Sequence, residues 1–251
     1  MSNVSQGPIS TEEFEYQFRQ LGEQSGEHPR LPLLPQDIQP MLEDRTASLE
    51  FDGHYVYHIA WAAEVLGKQR PAHHVDIGSY HYFSLVLSGF VPTTFLDYRP
   101  MELKGLENYR SGAADLKRLD IPSNSVASLS CMHTIEHIGL GRYGDELDYD
   151  GDLKAASELK RVLAHGGDLL IAVPVGRPRI KFNAHRIYST RHVLEMFSGL
   201  ELRDFSLIPD DFLGKGLIRQ CSPAMADRQE YACGCFWFRK PLRDGDYSSM
   251  S

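Results

Sequence analysis

Along the chain, the spacing of apolar residues changes period several times. In "HYVYHIAWAAEVLGK" (residues 54–68), His58, Trp61, Ala62, Val65 and Leu66 stand at i, i+3, i+4, i+7 and i+8. That is one face of a helix, predicted over 53–67, ended by Gly67 with Pro71 just beyond. Its apolar face, Trp61 included, is expected to pack on the unit that follows. From residue 74 the pattern becomes short apolar runs separated by helical periods. "HVDIG", "TTFLDY", "SGAAD", "SVASLSCM" and the fully apolar "DLLIAVPV" read as strands. "YFSLVLSGF" and "DLKAASELKRVL" read as helices, the second stopped by Gly166–Gly167. A last helix, "STRHVLEMFSGL", precedes "ELRDFSLI" and "YACGCFWFRK", a closing antiparallel strand pair. Strands alternating with helices predict an α/β fold, a doubly wound, mostly parallel sheet covered on both faces in three αβα layers.

The first 50 residues are polar and punctuated by proline ("HPRLPLLPQDIQP"), which predicts an arm or irregular cover. Residues 51–240 are expected to form a single domain, and 241–251 a flexible tail. The chain has 251 residues, 42% hydrophobic and 24% charged, enough for one large domain. A net charge of −8 leaves no basic stripe to neutralise phosphates, so nucleic acid is not expected as a partner. No apolar run approaches the roughly 20 residues needed to span a bilayer. The opening "MSNVSQGPISTEEFEYQF" lacks a basic-then-apolar leader, which points to the cytoplasm. Cys131, Cys221, Cys233 and Cys235 lack metal-site spacing and are expected to be reduced, forming neither disulfides nor a zinc site.

In an open sheet of this kind, ligands bind outside the carboxyl ends of the strands, near the point where strand order reverses. The first strand end offers Asp76, Gly78, Ser79 and Tyr80, the second Asp97 and Tyr98, the third Asp115 and Leu116. Asp97 stands 21 residues after Asp76, close to the offset of an acid that grips ribose hydroxyls. Asp115, one strand further, suits an exocyclic amino group. Tyr80 and Tyr82 occupy places where further glycines would be expected, and bulky side chains limit backbone approach there. "GLGRYG" (139–144) satisfies a dinucleotide fingerprint literally but follows "TIEHI" and runs into the acidic "DELDYDGD". It is therefore expected to be a mobile or tightly turned loop over the site. Asp145, Glu146, Asp148, Asp150 and Asp152 match no calcium-loop spacing, so no metal is expected.

"HVDIGS", "FLDYRP", "GAADLKRLDIPSNSVASLSCMHTIEHI" and "ELKRVLAHGGDLLIAVPVG" together resemble class I S-adenosylmethionine-dependent methyltransferases, closely over 74–175 and loosely to about 240. The longer pattern "EHIGLGRYGD…FNAHRIYS" resembles a functionally unassigned methyltransferase-like family of nematode and bacterial proteins. The resemblance implies a Rossmann-like class I methyltransferase fold with S-adenosylmethionine as cofactor. It implies that Asp76, Gly78, Ser79 and Tyr80 face the methionine part, Asp97 the ribose and Tyr98 the adenine. Asp115 and the Leu116 amide would meet adenine N6, and Cys131 to His133 would line the methyl-donating end.

For the acceptor side, His133, Glu136 and His137 follow the fourth strand, and Asn183, His185, Arg186 and Tyr188 follow the fifth. His137 or His185 is the expected base, because an imidazole titrates near neutrality. Glu136, Asn183, Arg186 and Tyr188 are expected to bind the acceptor, Arg186 through an anionic group. The reading is an O-directed methyltransferase acting on a small molecule, nucleotide sugar or glycan, as in glycan or polysaccharide biosynthesis, with a homodimer left open. Its rivals are a protein of this fold that keeps binding and has lost catalysis, a nicotinamide-dependent reductase, and a methyltransferase acting on nitrogen or protein.

Overall fold

The computed structural model describes residues 7–27, 29–46 and 48–243, in two compact units divided between Phe51 and Asp52. The first unit holds a helix that the proline punctuation does not announce, α1 (Thr11–Ser25). Ser10 caps it by accepting from the Glu13 backbone N–H, and Arg45 donates to the Glu13 carboxylate and the Gly7 carbonyl. α1 buries none of its residues. Of the expected tail, only residues 241–243 are described.

The second unit begins with α2 (Gly53–Gln69), capped by the Asp52 carboxylate. His58, Trp61, Ala62, Val65 and Leu66 are all buried, as their spacing predicts. Gly67 does not end this helix. Arg70 does, in a left-handed conformation with its N–H returned to the Leu66 carbonyl.

β1 (His74–Ile77), α3 (His81–Leu87), β2 (Thr93–Asp97), β3 (Tyr109–Ala113) and β4 (Val126–Met132) follow, then α4 (Gly151–Val162) and the long β5 (Leu163–Val175). Gly166–Gly167 lie inside β5 rather than after α4. The helix ends four residues earlier because the Asn124 and Ser125 N–H groups take the Arg161 and Val162 carbonyls, and Val126 pairs with Leu163 at once. A hairpin of β6 (Arg179–Lys181) and β7 (His185–Ile187), absent from the elements predicted above, follows β5. α5 (Thr190–Met196), β8 (Glu201–Ile208), the short α6 (Phe212–Lys215) and α7 (Pro223–Ala226), and β9 (Ala232–Arg239) complete the chain.

The seven-stranded sheet has the order β3-β2-β1-β4-β5-β9-β8. Only β9 runs against its neighbours, inserted between β5 and β8. The two-residue period of the strands sends Leu129, Cys131, Ile171 and Val173 to the face covered by α4 and α5. Met132, Leu170 and Ala172 go to the face covered by α2 and α3. Both faces are buried, which gives the three layers. Strand order reverses between β1 and β4, so their carboxyl ends mark the crevice where a ligand is expected. No helix among the described residues is long and apolar enough to cross a membrane.

Candidate functional site

A buried polar chain lies beneath the crevice. His74 at the start of β1 meets Ser128 through Nδ1 (2.8 Å) and Ser130 through Nε2 (2.9 Å). Ser130 donates in turn to Asp76 (2.6 Å), Ser79 donates to the same Asp76 oxygen, and Ser79 Oγ accepts from the Met132 N–H. All donors and acceptors match when His74 is neutral with its proton on Nε2. Burial lowers the His74 pKa to about 3. Burial likewise raises Asp76 to about 7, outweighing the serine hydrogen bonds that act the other way. Asp76 is fully buried, and its second oxygen has no partner. The carboxylate expected to face the cofactor is thus turned into the β1–β4 seam, and it fixes the Ser79 turn from behind.

Gly78 follows at φ +69°, and a Cβ there would stand 2.5 Å from Thr134 Cγ2. This position does require glycine, for handedness and for space. Tyr80 requires no such freedom, with φ −62° as the N-cap of α3. Its half-exposed ring meets Tyr82 and Tyr55 edge-on at 5.2 and 5.4 Å. Tyr80 therefore walls the crevice rather than filling it.

Two adjoining cavities share Gly78, Asp97 and Arg99. One, of about 280 Å³, runs over Asp97, Tyr98, Asp115 and Leu116 toward Thr134 and His137. The other, of about 400 Å³, runs past Ser79, Tyr80, Tyr55 and Met101. Asp97 accepts from the Arg99 N–H with one oxygen, and Asp115 from the Lys117 N–H with one oxygen. The second oxygen of each has no partner among the described residues. Tyr143 closes over the first cavity with Arg99 stacked at 4.4 Å from its ring, beside Asp145 and Glu146. The 139–146 run is therefore a tight turn lining this crevice, not the first strand-to-helix turn. Asp145 makes it tight by accepting from the Gly139 and Tyr143 N–H groups. Of the other acids, Asp148 is engaged by Lys154 and Asp152 by Arg186 and Tyr188.

Several expected residues lie elsewhere. Cys131 is fully buried among the apolar side chains under α4 and lines neither cavity. The strand period sends it to the face opposite Met132. Arg186 is buried and fully used. It donates to the carbonyls of Ile138 (2.7 Å), Tyr149 (3.0 Å), Asp148 and Glu136, and pairs with Asp152. It clamps both ends of the 138–149 loop rather than waiting for an anion. Tyr188 is buried and donates to Asp152. Asn183 is exposed at the hairpin tip.

The remaining candidates gather beyond Tyr55. His133, in a left-handed conformation (φ +52°) after β4, meets Glu136 through Nδ1 (2.9 Å) and Cys233 through Nε2 (3.2 Å). Glu136 is fully buried. Burial alone would raise its pKa, but the His133 hydrogen bond and the neighbouring imidazoles hold it below the usual carboxylate range. His137 donates from Nδ1 to the Ala184 carbonyl (2.6 Å), and its Nε2 lies 3.8 Å from Glu136 Oε1. His185 stacks on Tyr231 at 4.8 Å, and its buried Nε2 has no partner. Burial lowers its pKa, keeping the ring neutral near pH 7. His54 packs against His133 (5.3 Å) and Tyr231 (4.8 Å), and burial lowers it to about 4. Tyr55, Arg99, Thr134, Tyr143, His54 and Tyr231 were not legible as site residues. They come from the first turn of α2, ahead of the apolar stripe that starts at His58, or from irregular segments, where no period marks them.

Comparison with curated protein sequences gives no match. Residues 116–207 match a family model described as "Caenorhabditis protein of unknown function, DUF268". Solved structures resemble the chain far more widely. A putative sarcosine dimethylglycine methyltransferase from Galdieria sulphuraria superposes with a TM-score of 0.54 at 18% identity, over 74% of this chain and 86% of its own. The N-methyltransferase NodS from Bradyrhizobium japonicum, solved with S-adenosyl-L-homocysteine, gives 0.53 at 14%, over 73% and 85%. The [4+2]-cyclase SpnF gives 0.53 at 13%, over 74% and 82%. At these identities the likeness is one of fold. This chain has the fold of the class I S-adenosylmethionine-dependent methyltransferases.

Proposed function

We propose that the protein is an S-adenosylmethionine-dependent methyltransferase, directed to oxygen on a small-molecule, nucleotide-sugar or glycan acceptor. The observation that carries this reading is the crevice at the strand-order reversal. There the Gly78 backbone closes on Thr134, and Asp97 and Asp115 each keep one carboxylate oxygen without a partner. Those two acids suit a ribose diol and an adenine amino group, with Tyr98 and the Leu116 amide alongside. Gly78, Ser79 and Tyr80 with Tyr55 suit the amino-acid end. Bound S-adenosylmethionine would supply an electrophilic methyl group for in-line displacement.

The chain's task is then to align an acceptor hydroxyl and take its proton. His185 suits the second role, being neutral with an unpartnered Nε2. His137 is the other candidate, with its ring orientation held by the Ala184 carbonyl. The SpnF fold likeness argues that this scaffold carries more than one chemistry, so methyl transfer needs its own test. Calorimetry with S-adenosylmethionine, S-adenosylhomocysteine and NADH should give heat with the two sulfur compounds only, lost in Asp97→Ala. No heat with either would overturn the reading. Incubation with methyl-labelled donor and candidate acceptors, read by mass spectrometry, separates catalysis from a protein that retains binding alone. His185→Ala should cut turnover and leave donor affinity unchanged.

A further inference from the structure

We propose that His54, His133 and Cys233 form a transition-metal site of the zinc type, open at its fourth position. The inference stands apart from methyl transfer and would survive its failure. One donor atom from each of the three side chains lies within 4.8 Å of the others, and all three residues are buried. No other group of three His, Cys, Asp or Glu side chains among the described residues meets that condition. His133 Nε2 and Cys233 Sγ are already 3.2 Å apart, near the edge of about 3.6 Å between nitrogen and sulfur ligands on tetrahedral zinc.

The surroundings fit a metal better than a chance meeting of side chains. Glu136 holds the far nitrogen of His133, which is the carboxylate–histidine arrangement that orients a ligating ring and raises its basicity. Its other oxygen is buried without a partner. His133 reaches this position only through a left-handed backbone, a cost of about 1 kcal/mol or more for a side-chain-bearing residue. His58 packs at 5.1 Å from His133, and its Nε2 is also buried and unpartnered. Two imidazoles and a thiolate favour zinc or copper(I) over magnesium or calcium, which prefer oxygen. Three protein ligands match the number found where zinc keeps one position for water or substrate, whereas purely structural sites use four. The spacing rule misses the site because its ligands come from α2, the turn after β4, and β9.

The test uses the full chain, stripped by chelator and then titrated with zinc chloride. Calorimetry should show one equivalent bound per chain. Cobalt(II) should give the visible d–d bands of a tetrahedral site together with a near-ultraviolet thiolate charge-transfer band. Cys233→Ser should abolish that band and weaken zinc binding at least about 100-fold, while Cys221→Ser changes neither. Glu136→Gln should weaken zinc binding about 10- to 100-fold through His133, without removing the thiolate band. Should Cys233→Ser or Glu136→Gln fail to fold by circular dichroism, the cobalt spectrum of the unaltered chain decides. A wild-type spectrum without thiolate charge transfer, or zinc binding unchanged in a folded Cys233→Ser, would overturn the proposal.

Discussion

Asp76 and His74 face one another across Ser130, and their perturbations run in opposite directions. Unfolded Asp76 loses its proton near pH 3.8, whereas the folded group keeps it to about 7. Across that window the folded state holds more protons, so this residue lowers stability as pH rises, by at most about 4 kcal/mol. His74 does the reverse. The unfolded ring protonates near 6.5 and the folded one only near 3, so its contribution is present above 6.5 and is lost as pH falls toward 3. From about pH 4 to 6.5 the two largely cancel. Denaturant melts across pH should therefore expose each in the other's absence. Relative to wild type, Asp76→Asn should gain stability from pH 4 to 7, and His74→Gln should lose its advantage at neutral pH while gaining below 6. Parallel pH curves for wild type and Asp76→Asn would show that Asp76 titrates normally. At Gly78 the constraint is steric. Gly78→Ala should cost about 1–3 kcal/mol in thermal melts and reduce donor affinity, because the new methyl meets Thr134 at φ +69°. Adding Thr134→Ser removes the Cγ2 clash but not the backbone cost, so recovery should be partial. Full recovery would mean that the backbone strain is negligible.

At the scale of elements, the apolar period carried most of what could be read beforehand. "DLLIAVPV" announces a strand because both faces of the sheet are covered there, the edge strand "ELRDFSLI" buries only its second half, and the helix face His58–Leu66 is buried as spaced. What the period could not place was decided by backbone partners far away in sequence. α4 stops at Val162 because residues 124–125 take its carbonyls, and no local signal records that. Arg186 is the same kind of case, a basic residue that reads as an anion-binding group until its carbonyl partners are known. The hairpin β6–β7 uses it to pin a loop whose Tyr143 covers the crevice. Arg186→Met should then cost about 3–5 kcal/mol, since Asp152 is left buried without its cation. Hydrogen exchange should rise first over residues 138–149. Arg186→Lys keeps the charge but not the four-carbonyl fork, so it should restore stability more than it restores loop protection. Exchange that rises evenly over the whole domain would contradict the clamp.

For the molecule as a whole, a crevice that binds only the folded state should couple ligand to global stability. Both cavities lie at the carboxyl ends of β1 to β4, and their walls belong to strands whose pairing builds the sheet. Unfolding the sheet destroys the crevice, so a ligand at 100 times its dissociation constant should add about 2.7 kcal/mol. For a chain of about 250 residues that is a rise of roughly 5–10 °C in midpoint. α1 buries no residue of its own and should not contribute to the cooperative transition. S-adenosylhomocysteine is the probe of choice, because it carries the adenosine and amino-acid groups without transferable methyl. The shift should vanish in Asp97→Ala, whose carboxylate is half-exposed at the end of β2, with little change in the unliganded midpoint. Zinc added alone should raise the midpoint too, through His54, His133 and Cys233, and that rise should persist in Asp97→Ala. If the two ligands act at separate sites, their increments should add. A midpoint raised by zinc but not by S-adenosylhomocysteine would separate the metal centre from the methyl-transfer reading and leave the crevice to a different nucleoside.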